Sequence, residues 1–297
     1  GYGAGGDCVK IEKLTIKGTG EWNEDALVVA ESTGLYGVLD GATSLKPFRG
    51  PNGETGGYMA SRLVQRELES LTPDDLTKLS LHEAVLRANE RLRETMVSYG
   101  IDVNRKEELW TTGIALVRIH PNNIEYVQAG DCMIVAMYKD DKIRIVTFDH
   151  VDRFDQGTRR LLKEGIANGI TSIQQLRKLV EPNILSNKKW INAFDGYSVL
   201  SGEPELSEFM EYGRISRSQL KALLIVSDGL FLPSGYRLPN GEAASGMEAL
   251  VRMVSEKSLG GYAQWLLELE QSDPECLRFP RFKPSDDKTG IWMIFEE

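Results

Sequence analysis

TTGIALVRIHPNNIEYVQAGDCMIVAMYKDDKIRIVTF, residues 111–148, is the stretch whose reading decides the fold class. Its apolar residues fall into four short β-rich runs, Thr111–Ile119, Asn123–Ala129, Cys132–Tyr138 and Lys142–Phe148, separated by Pro121-Asn122, Gly130-Asp131 and Asp140-Asp141. Connections this short leave no room for a crossover helix, so successive runs are expected to pair antiparallel. Upstream, VKIEKLTIK at 9–17 alternates apolar and polar residues, and two further strands, Ala26–Ala30 and Leu35–Leu39, flank a turn ending in Gly34. The opening therefore reads as a β-meander.

Helical spacing takes over where the β signal stops. A loop rich in glycine and small polar residues, 42–57, feeds a helix at Tyr58–Leu71, and a second helix is expected from Pro73 to Ser98. Beyond residue 148 the pattern predicts helices at Asp155–Glu164 and Thr171–Leu185 and a buried strand at Ala222–Ser227. Helices at Ala243–Lys257 and Gly261–Gln271 and a closing strand at Thr289–Phe295 complete it. Strands and helices come in blocks, which favours an α+β fold, a sandwich of mainly antiparallel sheets flanked by helices, over a doubly wound parallel sheet. With no internal repeat or low-complexity linker, residues 9–297 read as one domain behind a flexible glycine-rich start at 1–8.

Composition excludes several function classes. The chain carries a net charge of -9, and no dense run of lysine and arginine stands ready to neutralise nucleic-acid phosphates. No apolar run approaches the ~20 residues that span a bilayer. Cys8, Cys132 and Cys276 are too few and too widely spaced for a disulfide framework or a zinc knuckle, which fits a reducing cytoplasm. Nucleic acid and membrane are thus not expected as partners, and the oligomeric state stays open.

The chemistry is carried by acids at strand ends. Glu24-Asp25 precedes ALVVA, Asp40-Gly41 follows LYGVL, Asp228-Gly229 follows ALLIVS, Asp286-Asp287 precedes TGIWMIF, and Gly130-Asp131 lies between two strands. Taken singly, each reads as a turn or a solvated pair of acids. Taken as a set, carboxylates converging on one edge of a sandwich repel each other unless cations neutralise them. All-oxygen donors suit Mg²⁺ or Mn²⁺, and glycine after the aspartate lets a backbone carbonyl approach the ion.

In order and spacing these segments resemble the PPM family, the type 2C metal-dependent serine/threonine protein phosphatases, over about residues 14–296. The likeness rests on Asn23-Glu24-Asp25, Val38-Leu39-Asp40-Gly41, Thr111–Ala115, Gly130-Asp131-Cys132, Thr147-Phe148-Asp149-His150, Ser227-Asp228-Gly229-Leu230 and Asp286-Asp287-Lys288-Thr289. It implies a four-layer α-β-β-α sandwich and two bridged ions, Mn²⁺ or Mg²⁺, with room for a third. Asp25, Asp40, Asp228 and Asp286 would be side-chain ligands and Gly41 would offer its carbonyl. Asp131 would stand near the third ion and Glu24 would act through water. Asp287 falls where the family usually has asparagine and ranks below Asp286. Catalysis would depend on Asp40 and Asp228, and the reaction implied is hydrolysis of phosphoserine or phosphothreonine in a phosphoprotein by activated water, without a phospho-enzyme.

Two features of the family pattern are missing. Gly20 stands where a phosphate-gripping arginine is usual, and Asp40-Gly41 continues into Ala42-Thr43-Ser44 rather than His-Gly. Arg49, Thr43 and Ser44 are the substrate-binding candidates that the neighbouring loop offers. The same departures leave open a non-catalytic binding or regulatory module, and a phosphatase of small phosphorylated metabolites shares the metal centre.

Overall fold

The structure, a computed structural model, describes residues 9–42, 44–241 and 246–296. The start at 1–8 that was expected to be flexible lies outside the described residues, as does Thr43. In chain order the elements are β1 (Val9–Ile16), β2 (Asp25–Ala30), β3 (Leu35–Ala42), α1 (Gly56–Glu69), α2 (Asp75–Lys78), α3 (Leu81–Ser98), β4 (Thr111–Ile119), β5 (Asn123–Ala129), β6 (Met133–Tyr138) and β7 (Ile143–Ile145). There follow α4 (Asp152–Ala167), α5 (Ile173–Asn187), α6 (Leu206–Phe209), β8 (Glu211–Ser216), β9 (Leu220–Val226), α7 (Gly246–Gln271) and β10 (Lys288–Phe295).

The strands form two five-stranded sheets, ordered β1-β10-β9-β6-β7 and β2-β3-β4-β5-β8. Every pairing between these strands is antiparallel. Because side chains alternate across a strand, each sheet has two apolar faces to cover. The inner faces meet in Val38, Ala115, Val117, Ile134, Ile225 and Ile291. Their sequence neighbours Leu39, Ile114 and Leu116 point the other way, under α1 and α3. On the far side, Val135, Leu224 and Trp292 pack beneath Leu250, Val254, Tyr262 and Leu266 of α7. Two antiparallel sheets flanked by helices on both sides give the expected α+β architecture in four layers.

Local chemistry sets the helix ends. Thr55 accepts a hydrogen bond from the Tyr58 amide at the start of α1. A single helix over 73–98 does not form: Leu79 is extended, and Ser80 with Glu83 builds a reciprocal capping box that starts α3 afresh. Near the other end, the two helices expected around 257–261 run on as α7 with a break at Ser258, whose φ is 71°. The Ser258 hydroxyl accepts from the Gly261 amide, while Glu12 of β1 accepts from the Leu259 and Gly260 amides. The expected start of the first of these helices, Ala243, lies outside the described residues.

The expected pairings fail at two connections. β1 does not join β2 and β3 in a meander; it pairs with β10, and the segment 17–24 carries the chain to the other sheet. Likewise β5 and β6 do not pair, although only Gly130, Asp131 and Cys132 separate them. β5 lies between β4 and β8 in one sheet, and β6 between β7 and β9 in the other. Gly130, at φ 83°, lets the chain step from one sheet to the other instead of folding back. β7 is also shorter than expected, and β8, whose side chains are largely exposed, went unread.

Candidate metal centre

The crossings between sheets bring the acids together. Asp25 opens β2 and Asp40 lies near the end of β3, directly opposite each other in the β2–β3 register. Asp131 sits in the turn that crosses from β5 to β6, and ligand atoms of Asp40, Asp131 and Cys132 lie within 4.8 Å of one another. Asp228 follows β9, and Asp286 precedes β10, the strand paired with β9. Four distant stretches of sequence therefore deliver carboxylates to one end of the sandwich.

Electrostatics registers the crowding. Burial, offset in part by bonds from Thr289 and Ser227 and reinforced by Asp228, pushes the Asp25 carboxyl up to about 7. Asp40 and Asp131 are held well above the usual carboxylate range by burial and then by Asp228. Asp286 is raised by burial and Asp228, with Lys283 opposing; the Lys283 ammonium lies 3.8 Å from Asp286 Oδ1. Two acids that were not singled out as ligands extend the cluster. Asp149 is pushed up to about 6 by burial and Asp152, and Asp155 to about 7 by burial and Asp228. Asp149 lies in the segment Thr147-Phe148-Asp149-His150, but Asp155 stands in a helix without motif, so only the fold points to it.

The surroundings fix this arrangement. Gly41 donates its amide to the Glu24 carbonyl at 3.0 Å, and a Cβ at Gly41 would fall 2.2 Å from the Gly57 carbonyl oxygen. Only glycine allows β3 to approach the N-terminus of α1 so closely. Glu24 is buried there and its Oε2 accepts from the Thr55 hydroxyl at 2.8 Å. Asp287 accepts from the Gly18 and Glu24 amides at 2.8 and 2.9 Å, so it clamps the β1–β2 connection rather than facing the cluster. The Arg62 guanidinium donates to the Asp25 carbonyl and stacks on Tyr58.

Of the substrate candidates, Arg49 and Ser44 are bonded within their own loop region. Arg49 donates to the Gly53 carbonyl and pairs with Glu21 at 3.3 Å, and the Ser44 hydroxyl donates to the Lys46 carbonyl. Thr43 lies outside the described residues. No histidine of the chain is given over to the cluster: His82 stacks on Tyr212, His120 bonds Glu125, and His150 bonds Glu211 at 2.9 Å.

A hard divalent ion fits this donor set. Acids that destabilise one another in the metal-free state, offering oxygen alone, are what Mg²⁺ or Mn²⁺ requires. Cys132 is the one soft atom nearby, and burial followed by Asp131 pushes its thiol well above the usual range, so it stays protonated.

Comparison with known proteins bears on the family and the fold. Residues 17–269 match the protein phosphatase 2C family. No curated protein sequence matches significantly. Among solved structures, the chain resembles the serine/threonine phosphatase PstP/Ppp of Mycobacterium tuberculosis at 16% identity and a TM-score of 0.58, covering 97% of this chain and 99% of that one. It also resembles Stp1 of Staphylococcus aureus at 16% identity and a TM-score of 0.56, over 98% of this chain and 96% of that one. PppA, a regulatory component of the T6SS in Pseudomonas aeruginosa, gives 17% identity and a TM-score of 0.57, over 97% and 98%. At these identities the likeness speaks for the fold, while the family match spans most of the chain. The chain thus belongs to the protein phosphatase 2C family of phosphoric monoester hydrolases.

Proposed function

We propose that residues 9–297 act as one cytoplasmic catalytic unit that hydrolyses phosphoserine and phosphothreonine in proteins with the help of two Mn²⁺ or Mg²⁺ ions. The observation that carries this reading is the convergence of Asp25, Asp40, Asp131, Asp228 and Asp286, each displaced from ordinary carboxylate behaviour or adjacent to one that is. A structure of the PstP catalytic domain with two manganese ions, which this chain resembles at 15% identity and a TM-score of 0.57, favours the same metal.

Asp25, Asp40, Asp228 and Asp286 would hold the ions through their side chains, with the Gly41 carbonyl alongside and Asp131 near a third. When bound, two such ions lower the pKa of a water and offset charge on the phosphoryl oxygens. The protein's own residues do the rest. The Ser227 hydroxyl orients Asp25 Oδ2, and Asp287 fixes the Glu24 backbone beside it. Lys283 brings a positive charge to the Asp286 side of the cluster. Both described cysteines are free thiols, in keeping with a reducing compartment, and no helix among the described residues is long and apolar enough to cross a membrane.

Purified protein in Mn²⁺ is expected to release phosphate from a phosphoserine peptide, and Asp40→Asn or Asp228→Asn to reduce release to background. Wild-type turnover no higher than that of these variants would overturn the reading. Exclusive turnover of small phosphate esters would replace the protein substrate with a metabolite.

A further inference from the structure

A cavity of about 480 Å³ adjoins the carboxylate cluster, walled by Arg177, Lys178 and Glu181 of α5, by Phe282 and Lys283, and by the segment around Gly20. Three of these side chains are cationic and one is anionic, in a chain whose net charge is -9. Its walls are tied together, since Arg177 Nε donates to the Phe282 carbonyl at 2.9 Å and so holds α5 against the 282–283 loop. At the inner end, Lys283 faces Asp286 at 3.8 Å, with both side chains about two-fifths exposed (40% and 41%). That lysine marks the border between cavity and cluster. A Cβ built on Gly20 would meet nothing nearer than the Trp22 carbonyl oxygen at 3.7 Å, so the space a side chain would take there belongs to the cavity.

Resting on the phosphatase reading, we propose that this cavity is the subsite for an acidic segment of the phosphoprotein substrate, next to the phosphorylated side chain. When the phosphate sits at the carboxylate cluster, the residues on one side of it pass Lys283 within a few ångström, because an extended chain advances roughly 3.3–3.6 Å per residue. An aspartate or glutamate there meets Lys283 first and Arg177 and Lys178 at the rim. Long-range attraction adds to contact, since a cationic cleft concentrates anionic ligands against the repulsion of an acidic protein. A basic flank finds only Glu181 and three like charges. The phosphate itself gains from the same lysine.

The test uses three phosphoserine peptides that differ only in carrying aspartates, asparagines or lysines beside the phosphoserine. Wild-type protein in Mn²⁺ is expected to favour the aspartate peptide over the asparagine peptide in kcat/KM by roughly fivefold, the scale of two partly exposed charge contacts. In Arg177→Gln/Lys178→Gln the ratio falls to about one. Gly20→Glu, at the opposite wall, is expected to lower the same ratio by repulsion, and its Cβ has room. Fluorescence anisotropy of labelled peptides in Mn²⁺ reads the preference independently of turnover. Absence of turnover on every peptide and on p-nitrophenyl phosphate would defeat the phosphatase reading, whereas turnover without an aspartate preference would defeat this one. An undiminished preference in both variants would also overturn it.

Discussion

Ser227 Oγ donates a 2.8 Å hydrogen bond to Asp25 Oδ2, joining the end of β9 in one sheet to the start of β2 in the other. The same oxygen accepts from the Thr289 amide at 3.0 Å, so one buried hydroxyl connects β9, β10 and β2 at the rim of the cluster.

Replacing Ser227 with alanine removes the bond that orients a candidate metal ligand and leaves a buried amide short of an acceptor. A lost partner behind a ligand typically weakens metal binding about 10–100-fold, and a buried unpaired polar group costs about 1–3 kcal/mol. Titration calorimetry with Mn²⁺ and a denaturant melt of Ser227→Ala check both figures. Wild-type affinity in the variant would show that the hydroxyl does not position Asp25.

Metal-free protein is expected to lose stability as pH rises from about 4 to 7. Asp25 and Asp155 lie near 7 and Asp149 near 6 in the folded chain, all above the ordinary value of 3.8. In that window the folded state holds more protons than the unfolded state, so stability falls with increasing pH. Carboxylates shifted downward, such as Asp75 and Glu83, act at and below the lower end of this window. Thermal melts in EDTA at pH 5 and 7.5 read the trend. Asp155→Asn should melt about 2–4 °C above wild type at pH 7.5, and gain less at pH 5. Equal gains at both pH values would refute the assignment.

Lys288 is fully buried and its ammonium bonds Glu270 at 2.9 Å, Ser285 at 3.0 Å and the Asp286 carbonyl at 2.9 Å. It therefore ties the end of α7 to the loop that presents Asp286. Lys288→Met leaves the largely buried Glu270 with Ser285 but without its cationic partner, and breaking a buried pair costs up to about 3–5 kcal/mol. Adding Glu270→Leu should recover much of that loss without restoring Mn²⁺ affinity, because the Asp286 carbonyl has still lost its donor. Chemical denaturation and metal titration of the single and double variants separate the two effects.

Strand positions were largely legible in sequence because both sheets alternate inward and outward residues, as in Ile114-Ala115-Leu116-Val117. Partners were not. A three-residue link such as Gly130-Asp131-Cys132 looks like a hairpin turn, and only the placement of β5 and β6 in different sheets shows that it steps between them. The acids at 25, 40, 131, 228 and 286 were visible because each lies beside a strong apolar run. Asp155 was hidden by its place on a helix, where an acid normally faces water. Lys283 was hidden for a similar reason: its significance comes from the distance to Asp286, and a lysine three residues before an acid is common in loops. For Arg49, nearness in sequence to Asp40 gave no sign of its exposed pairing with Glu21.

The pairing of β1 with β10, and of β10 with β9, has a consequence for how the protein comes into being. On the ribosome, β2 and β3 emerge early and can present Asp25 and Asp40 to each other, yet Asp228 and Asp286 arrive only after most of the chain has been made. A nascent or interrupted chain would carry two apposed aspartates and an incomplete candidate centre. Hydrolytic competence would then begin abruptly, when β10 slots between β1 and β9, so that a chain cut short before that strand is inert rather than partly active.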